Sequence, residues 1–259
     1  MSNTGGRDGG VQSVDRAISV LEILARRGEA GVSEVAAEID VHKSTAFRLL
    51  GALEDRGLVE QTSDRGKYRL GFALIPLAGA VSDRLDVTRQ GRAVCERLAA
   101  ELGETINLAV LQEHWAVNVD QARGPSTVAT HNWIGRLTPL HCTSSGKVLI
   151  AHLDPARRTA LLAESGMEKL TPHTITTLDA LEAELGKVRE TGLAVAVEEY
   201  EIGLNAVAAP IHDRTGEVIA ALSVSGPAYR LDPDHLDALA TPVRAAASEV
   251  SRRMGWFHP

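Results

Sequence analysis

Aromatic residues make up only 3% of this 259-residue chain, and Cys95 and Cys142 are its sole cysteines. Two thiols so far apart in sequence suggest neither a disulfide framework nor a zinc knuckle, and both are expected reduced. Long apolar runs are missing as well. With no stretch of membrane-spanning length and no basic-then-apolar leader, the chain is expected to have no membrane partner and to work in the cytoplasm. A basic excess is also lacking: the net charge is −7, which argues against a protein that coats nucleic acid regardless of sequence. The nine histidines include no H-E-x-x-H and no Cys/His pairing at zinc spacing, so no metal ligand, cofactor or catalytic residue is assigned.

What is present divides along the chain. At 44% hydrophobic, 259 residues can bury two cores. Residues 1–72 hold ten Lys and Arg against eleven Asp and Glu, and the remainder holds seventeen against twenty-three, so the acidity lies mainly in the C-terminal part. Met1 to Val11 is Gly-rich without apolar periodicity, which predicts a disordered tail over 1–11. Ser13 can cap a helix running to Arg27, with Val14, Ala17, Ile18, Leu21, Ile23 and Leu24 as its buried stripe. Gly28 to Gly31 reads as a break.

The stretch Val32 to Gly57 carries two helical patterns around a tight turn. Ser33 to Ile39 forms the first. In the second, Ala46, Leu49, Leu50 and Leu53 recur at the spacing of one apolar face, and Lys43, Ser44, Phe47 and Arg48 fall opposite. An ammonium, a hydroxyl, a ring and a guanidinium on one exposed face suit the DNA major groove: Arg48 can pair with guanine, Ser44 or Thr45 with a base or phosphate, and Phe47 can touch a thymine methyl. The competing interpretation is an ordinary antiparallel helix pair with a solvated charged side. Leu58 to Leu70 then reads as a hairpin around Ser63–Gly66, with Arg65, Lys67 and Arg69 forming a basic edge able to grip phosphates. Helix, helix, helix and basic hairpin make a winged helix-turn-helix over 12–71. Near-neutral overall, such a reader needs local basic clusters and favours specific binding as a dimer.

A linker helix is expected over 72–87, starting near Ile75 because Pro76 suits a first turn. A longer helix, Thr88 to Leu102, is ended by Gly103. Beyond it, strands are expected at Ile106–Gln112, Ala116–Ala122, more weakly Val128–His131, then Ala194–Glu198, Val207–His212 and Val218–Ser225. Helices fill Ser144–Leu153, Pro155–Glu164 and Leu178–Thr191, and Asp232-Pro233 starts a last helix reaching Met254. The economical arrangement is an antiparallel sheet with helices on one side. The fold class is therefore α+β, and 88–259 is assigned to a second domain.

Taken together, the blocks QSVDRAISVLEIL, HKSTAFRLLGALEDRGLVE, KYRLGFAL, PLHCTSSGKVLIAHL, VRETGLAVAVEEYEIGLNAVAAPI and AALSVSGP resemble the IclR family of transcriptional regulators, from Gln12 to Met254. The resemblance implies a winged helix-turn-helix reader joined to a GAF-like α/β sensor domain that binds a small effector, often an organic acid, and that serves oligomerisation. It implies homodimers or dimers of dimers on palindromic double-stranded operators, and a repressor is the expected sense. Two-fold symmetry agrees, because paired recognition helices then meet major-groove faces about one helical turn apart.

In the family's pocket, backbone amides just before the Gly-Lys pair hold a ligand carboxylate, and here they belong to Ser144 and Ser145; Ser223 and Ser225 match the hydroxyl donors of the last strand. An alternative is that Ser144 only caps a helix and the later pair is buried polar filler. Members that bind very small keto acids place an Asp and a Cys where this chain has Ala196 and Ala206, so the pocket should be roomier and more apolar, suited to an effector larger than a two- or three-carbon acid. Asn205 either supplies a replacement amide or faces solvent. Ser144 to Lys147 also spells S-x-x-K, without the S-D-N or K-T-G partners of an acyl enzyme. Lys147 is expected at the surface or pocket rim, and Glu198 and Glu199 as solvated edge charges. A metabolic enzyme, or a metal-binding sensor with a fused helical domain, stands as the alternative function.

Overall fold

The structure, a computed structural model, describes residues 12–62, 66–82, 86–125 and 132–256. The expected tail over 1–11, Ser63 to Arg65 of the hairpin turn and the weak strand at Val128–His131 lie outside them. Internal contacts divide the chain into two units, residues 1–81 and 82–259.

The first unit runs α1 (Gln12–Arg27), β1 (Glu29–Gly31), α2 (Val32–Glu38), α3 (Lys43–Glu54), β2 (Val59–Gln61), β3 (Lys67–Leu70) and α4 (Leu74–Ser82). The hairpin β2–β3 is joined by β1, which pairs Ala30 with Tyr68 in an antiparallel sheet of order β1-β3-β2. The three-residue β1 was read in the sequence as a break, because its Gly-flanked residues show no alternation. Val20, Ile23 and Leu24 of α1 meet Val35, Ala46, Leu50, Leu53 and Tyr68 in one core. Val14 and Ile18, expected in the buried stripe, are instead about half exposed, and Val20 takes the central place. The core-facing stripe is displaced around the helix because α3 and β3 cover only one side of it.

The second unit is a six-stranded antiparallel sheet, β4 (Thr105–Gln112), β5 (Trp115–Ala122), β6 (Leu137–Thr138), β7 (Ala194–Val197), β8 (Leu204–His212) and β9 (Val218–Pro227), in the order β6-β5-β4-β9-β8-β7. Its helices are α5 (Asp86–Leu102), α6 (Ser144–Ala151), α7 (Pro155–Ser165), α8 (Leu178–Thr191) and α9 (Pro233–Arg253). They cover both faces, not one. Ile106, Leu108, Val207, Ile211, Leu222 and Val224 pack with Val94 and Leu98 of α5 and Val243 and Val250 of α9. The alternate residues Ala109, Ala194, Ala208 and Ala221 pack with Leu149 of α6 and Leu181 and Leu185 of α8. Alanine is a weak apolar signal in a pattern, yet its small size is what lets a helix come close on that second face.

Helix ends follow their capping residues. Gly103 takes φ 73°, ending α5. Thr177 Oγ accepts from the Ala180 amide at 3.4 Å at the start of α8. Asp232 accepts from the His235 amide at 3.0 Å ahead of Pro233, and α9 continues through an internal Pro242. No described helix is long and apolar enough to cross a membrane.

Candidate functional site

On the first unit, α3 is anchored by Ala46, Leu50 and Leu53 and presents Lys43, Ser44, Phe47 and Arg48 to solvent; Phe47 is 59% exposed. Thr45 is half-buried. Phe47 belongs to no described core cluster and stands between Lys43 and Arg48 in the sequence of the helix start. His42, which the sequence reading passed over, caps α3: its Nδ1 lies 2.9 Å from Ser44 Oγ and accepts from the Ser44 amide at 3.4 Å. On the hairpin the Lys67 ammonium pairs with Glu29 of β1, and Arg69 Nε donates to Glu60 Oε1 at 2.6 Å. Phosphate contact by Lys67 would have to share or displace that carboxylate. Arg65 lies outside the described residues.

The second unit holds a cavity of about 490 Å³, counting all atom-free space, between the sheet and the start of α6. Its floor is one sheet face: across the register, Ala196 of β7 faces Ala206 of β8, which faces Ser225 of β9, and Ser223 faces Asn107 of β4. In β5 the register slips at Val119, so that Asn118 comes opposite Ala109 and lines the cavity too. Cys142 to Ser145 at the head of α6 and the side chains of Trp133, Tyr200 and Leu204 complete the wall. Trp133 and Tyr200 meet edge to face at 6.0 Å, and the Arg136 guanidinium sits 5.2 Å from the Trp133 ring centre.

α6 starts as a helix because Thr143 Oγ accepts from the Gly146 amide at 3.1 Å. Ser144 and Ser145 line the same cavity, and their amides precede the intrahelical ladder at the positive end of the helix dipole, where an anion is favoured. Gly146 lets the head of α6 close on the Leu140 backbone: a Cβ there would sit 2.6 Å from Leu140 Cα and from its carbonyl oxygen. Cys142 is in the wall, but burial foremost, with Glu199 nearby, pushes its thiol up to about 12, which leaves it an un-ionised apolar surface.

Three residues stand elsewhere than expected. Lys147 is not a rim charge; it is 0% exposed, and its ammonium donates to Glu199 Oε1 at 2.6 Å and to the Val195 carbonyl at 3.0 Å. Glu199 is accordingly no solvated edge charge, and burial raises its carboxyl above the ordinary value despite Lys147 beside it. Asn205 neither lines the cavity nor faces solvent. It is buried, its Nδ2 donating to the Leu231 carbonyl at 2.7 Å and its Oδ1 accepting from the Glu198 amide at 2.9 Å. It staples the segment that carries Tyr200 and Leu204. Of the other proposed pocket residues, Ser144, Ser145, Ala196, Ala206, Ser223 and Ser225 come together. Asn107, Asn118, Thr138, Trp133 and Tyr200 were missed, and only the alternation of Asn107 with buried Ile106 and Leu108 could have marked one of them.

The two units match two family models: residues 13–63 the IclR helix-turn-helix domain, and residues 79–252 the bacterial transcriptional regulator IclR C-terminal domain. The HTH-type transcriptional repressor AllR of Klebsiella pneumoniae is 33% identical over 247 residues, spanning 95% of this chain and 91% of that protein. A crystal structure of a regulator from Rhodococcus sp. RHA1 is similar with a TM-score of 0.82 at 28% identity, over 95% of this chain and 98% of that one. An IclR homologue from Microbacterium hydrocarbonoxydans, solved in complex with 4-hydroxybenzoate, is similar with a TM-score of 0.80 at 26% identity, over 93% and 98% of the two chains. Both units are thus matched over nearly the whole length, and the chain belongs to the IclR family: it is a ligand-responsive, DNA-binding transcriptional regulator and not an enzyme.

Proposed function

We propose that the protein is a repressor that holds a palindromic operator as a homodimer or dimer of dimers in the cytoplasm, and whose hold on DNA changes when a small organic acid enters the 490 Å³ cavity. Lys43, Ser44, Thr45, Phe47 and Arg48 are the groove-facing residues, with Lys67 and Arg65 on the backbone. In the sensor, the Ser144 and Ser145 amides take the carboxylate and the Ser223 and Ser225 hydroxyls take other polar atoms. Ala196 and Ala206 leave room for an apolar body beside Trp133 and Tyr200.

The observation that supports this most is the pairing of the helix start at Ser144 and Ser145 with a floor that carries Ala196 and Ala206 and, among the described residues, no charged side chain. A two- or three-carbon acid would fill the anion end and leave the remainder empty. Ligand that prefers one state of the regulator shifts DNA affinity by its differential affinity for that state, whatever the sign. Gel-shift titration of the protein's own upstream region, with and without acids, tests the regulatory reading. Calorimetric titration is expected to show weak or no binding of glyoxylate and pyruvate and tighter binding of ring-bearing acids such as 4-hydroxybenzoate. Tight glyoxylate or pyruvate binding overturns the size argument.

A further inference from the structure

The cavity contains a polar group that the anion site does not use. Asn107 is 4% exposed, projects from β4 onto the cavity floor, and donates through Nδ2 to Ser225 Oγ at 3.2 Å. Its Oδ1 is fully buried and meets no hydrogen-bond partner among the described residues. A buried amide oxygen without a donor costs about 1–3 kcal/mol, and buried polar atoms of this kind are otherwise satisfied almost without exception. Turning the amide over does not remove the difficulty, because Ser225 Oγ can donate as well as accept, and Nδ2 would then be the orphan. Either way the amide of this cavity-lining residue holds one unmet polar atom, closed to water in the empty cavity. Asn118, also buried and on the same wall, keeps that end polar, whereas Ala196 and Ala206 line the floor further across the sheet.

We infer that Asn107 is a specificity-determining residue, and that the effector carries, besides its anionic end, a hydroxyl or N–H group that hydrogen-bonds to the Asn107 side-chain amide. This rests on the acid-binding reading above and adds a second polar function to the ligand. Water does not reach the unmet atom in the empty cavity, so a ligand group that shifts the amide and bonds it supplies a hydrogen bond the free protein lacks, whereas a plain acid does not. The site therefore discriminates against plain acids of the same size, in the way that a built hydrogen-bonding position rejects an analogue lacking the group.

Matched pairs of acids test it on the full-length protein by calorimetric titration: benzoate against 4-hydroxybenzoate, phenylacetate against its para-hydroxy derivative, and butanoate against its terminal hydroxy derivative. In at least one pair the hydroxylated acid is expected to bind about tenfold more tightly or better. Asn107→Leu should reduce that preference to less than about threefold. Asn107→Ala gives the same comparison should the leucine variant fail to fold. Plain and hydroxylated acids binding equally to the wild-type protein overturns the inference alone, as does a preference that survives both substitutions. Failure of every acid to bind overturns the anion site, and this inference with it.

Discussion

Lys147 places a charge where the sequence gives every reason to expect solvent. Its partner Glu199 is 52 residues away, so no local pattern announces the pair. Removing one member of a buried ion pair leaves the other uncompensated, at a cost of about 3–5 kcal/mol, while replacing both with apolar groups of similar volume is close to neutral. Lys147→Met is therefore expected to lower stability by about 3–5 kcal/mol in urea unfolding, and Lys147→Met with Glu199→Leu to recover most of it. His141, next to the cavity, behaves differently. Burial, first among its influences, lowers its pKa below the ordinary imidazole value, and its Nε2 donates to the Glu168 carbonyl at 3.1 Å. The unfolded chain takes up this proton near about 6.5, before the folded one does, so stability is complete above that pH and declines below it. Melting temperature should fall as pH is lowered from about 7.5 to about 5.5, and His141→Gln, which keeps a donor, should flatten that slope.

At the scale of elements, α3 was legible in full because its two faces differ so strongly, and α8 because Thr177 and Asp179 mark its start. Strands β1 and β6, of three and two residues, were not, since so few residues cannot show a period. The second helical layer was misjudged for another reason: β8 and β9 are buried on both faces, but one face is built from alanine and serine. The pocket was half legible. Ser144, Ser145, Ser223 and Ser225 lie in blocks with a family resemblance, whereas Asn107 and Asn118 meet them only through sheet register and Trp133 comes from a segment outside the strands. For the reader helix, Arg48→Ala is expected to weaken specific operator binding by about 1–3 kcal/mol and relax preference at one base position. Binding measured against single-base operator variants checks this, and an unchanged preference would remove Arg48 from the base readers.

The molecule as a whole consists of two units with separate cores, the smaller a helical and winged reader and the larger a sheet covered on both faces. An effector present at a hundred times its dissociation constant stabilises the unit that binds it by about 2.7 kcal/mol. Scanning calorimetry is accordingly expected to show an acid raising the transition of residues 82–259, with operator DNA acting on that of residues 1–81. The tryptophans add a consequence of their own. Trp115, Trp133 and Trp256 all belong to the larger unit, and Trp133 stands in the cavity wall against Tyr200. Light emitted by the indoles thus comes from the sensor alone, with the reader optically silent at that wavelength. A quenching signal on adding a metabolite would announce an occupied cavity in the intact regulator, without any label attached.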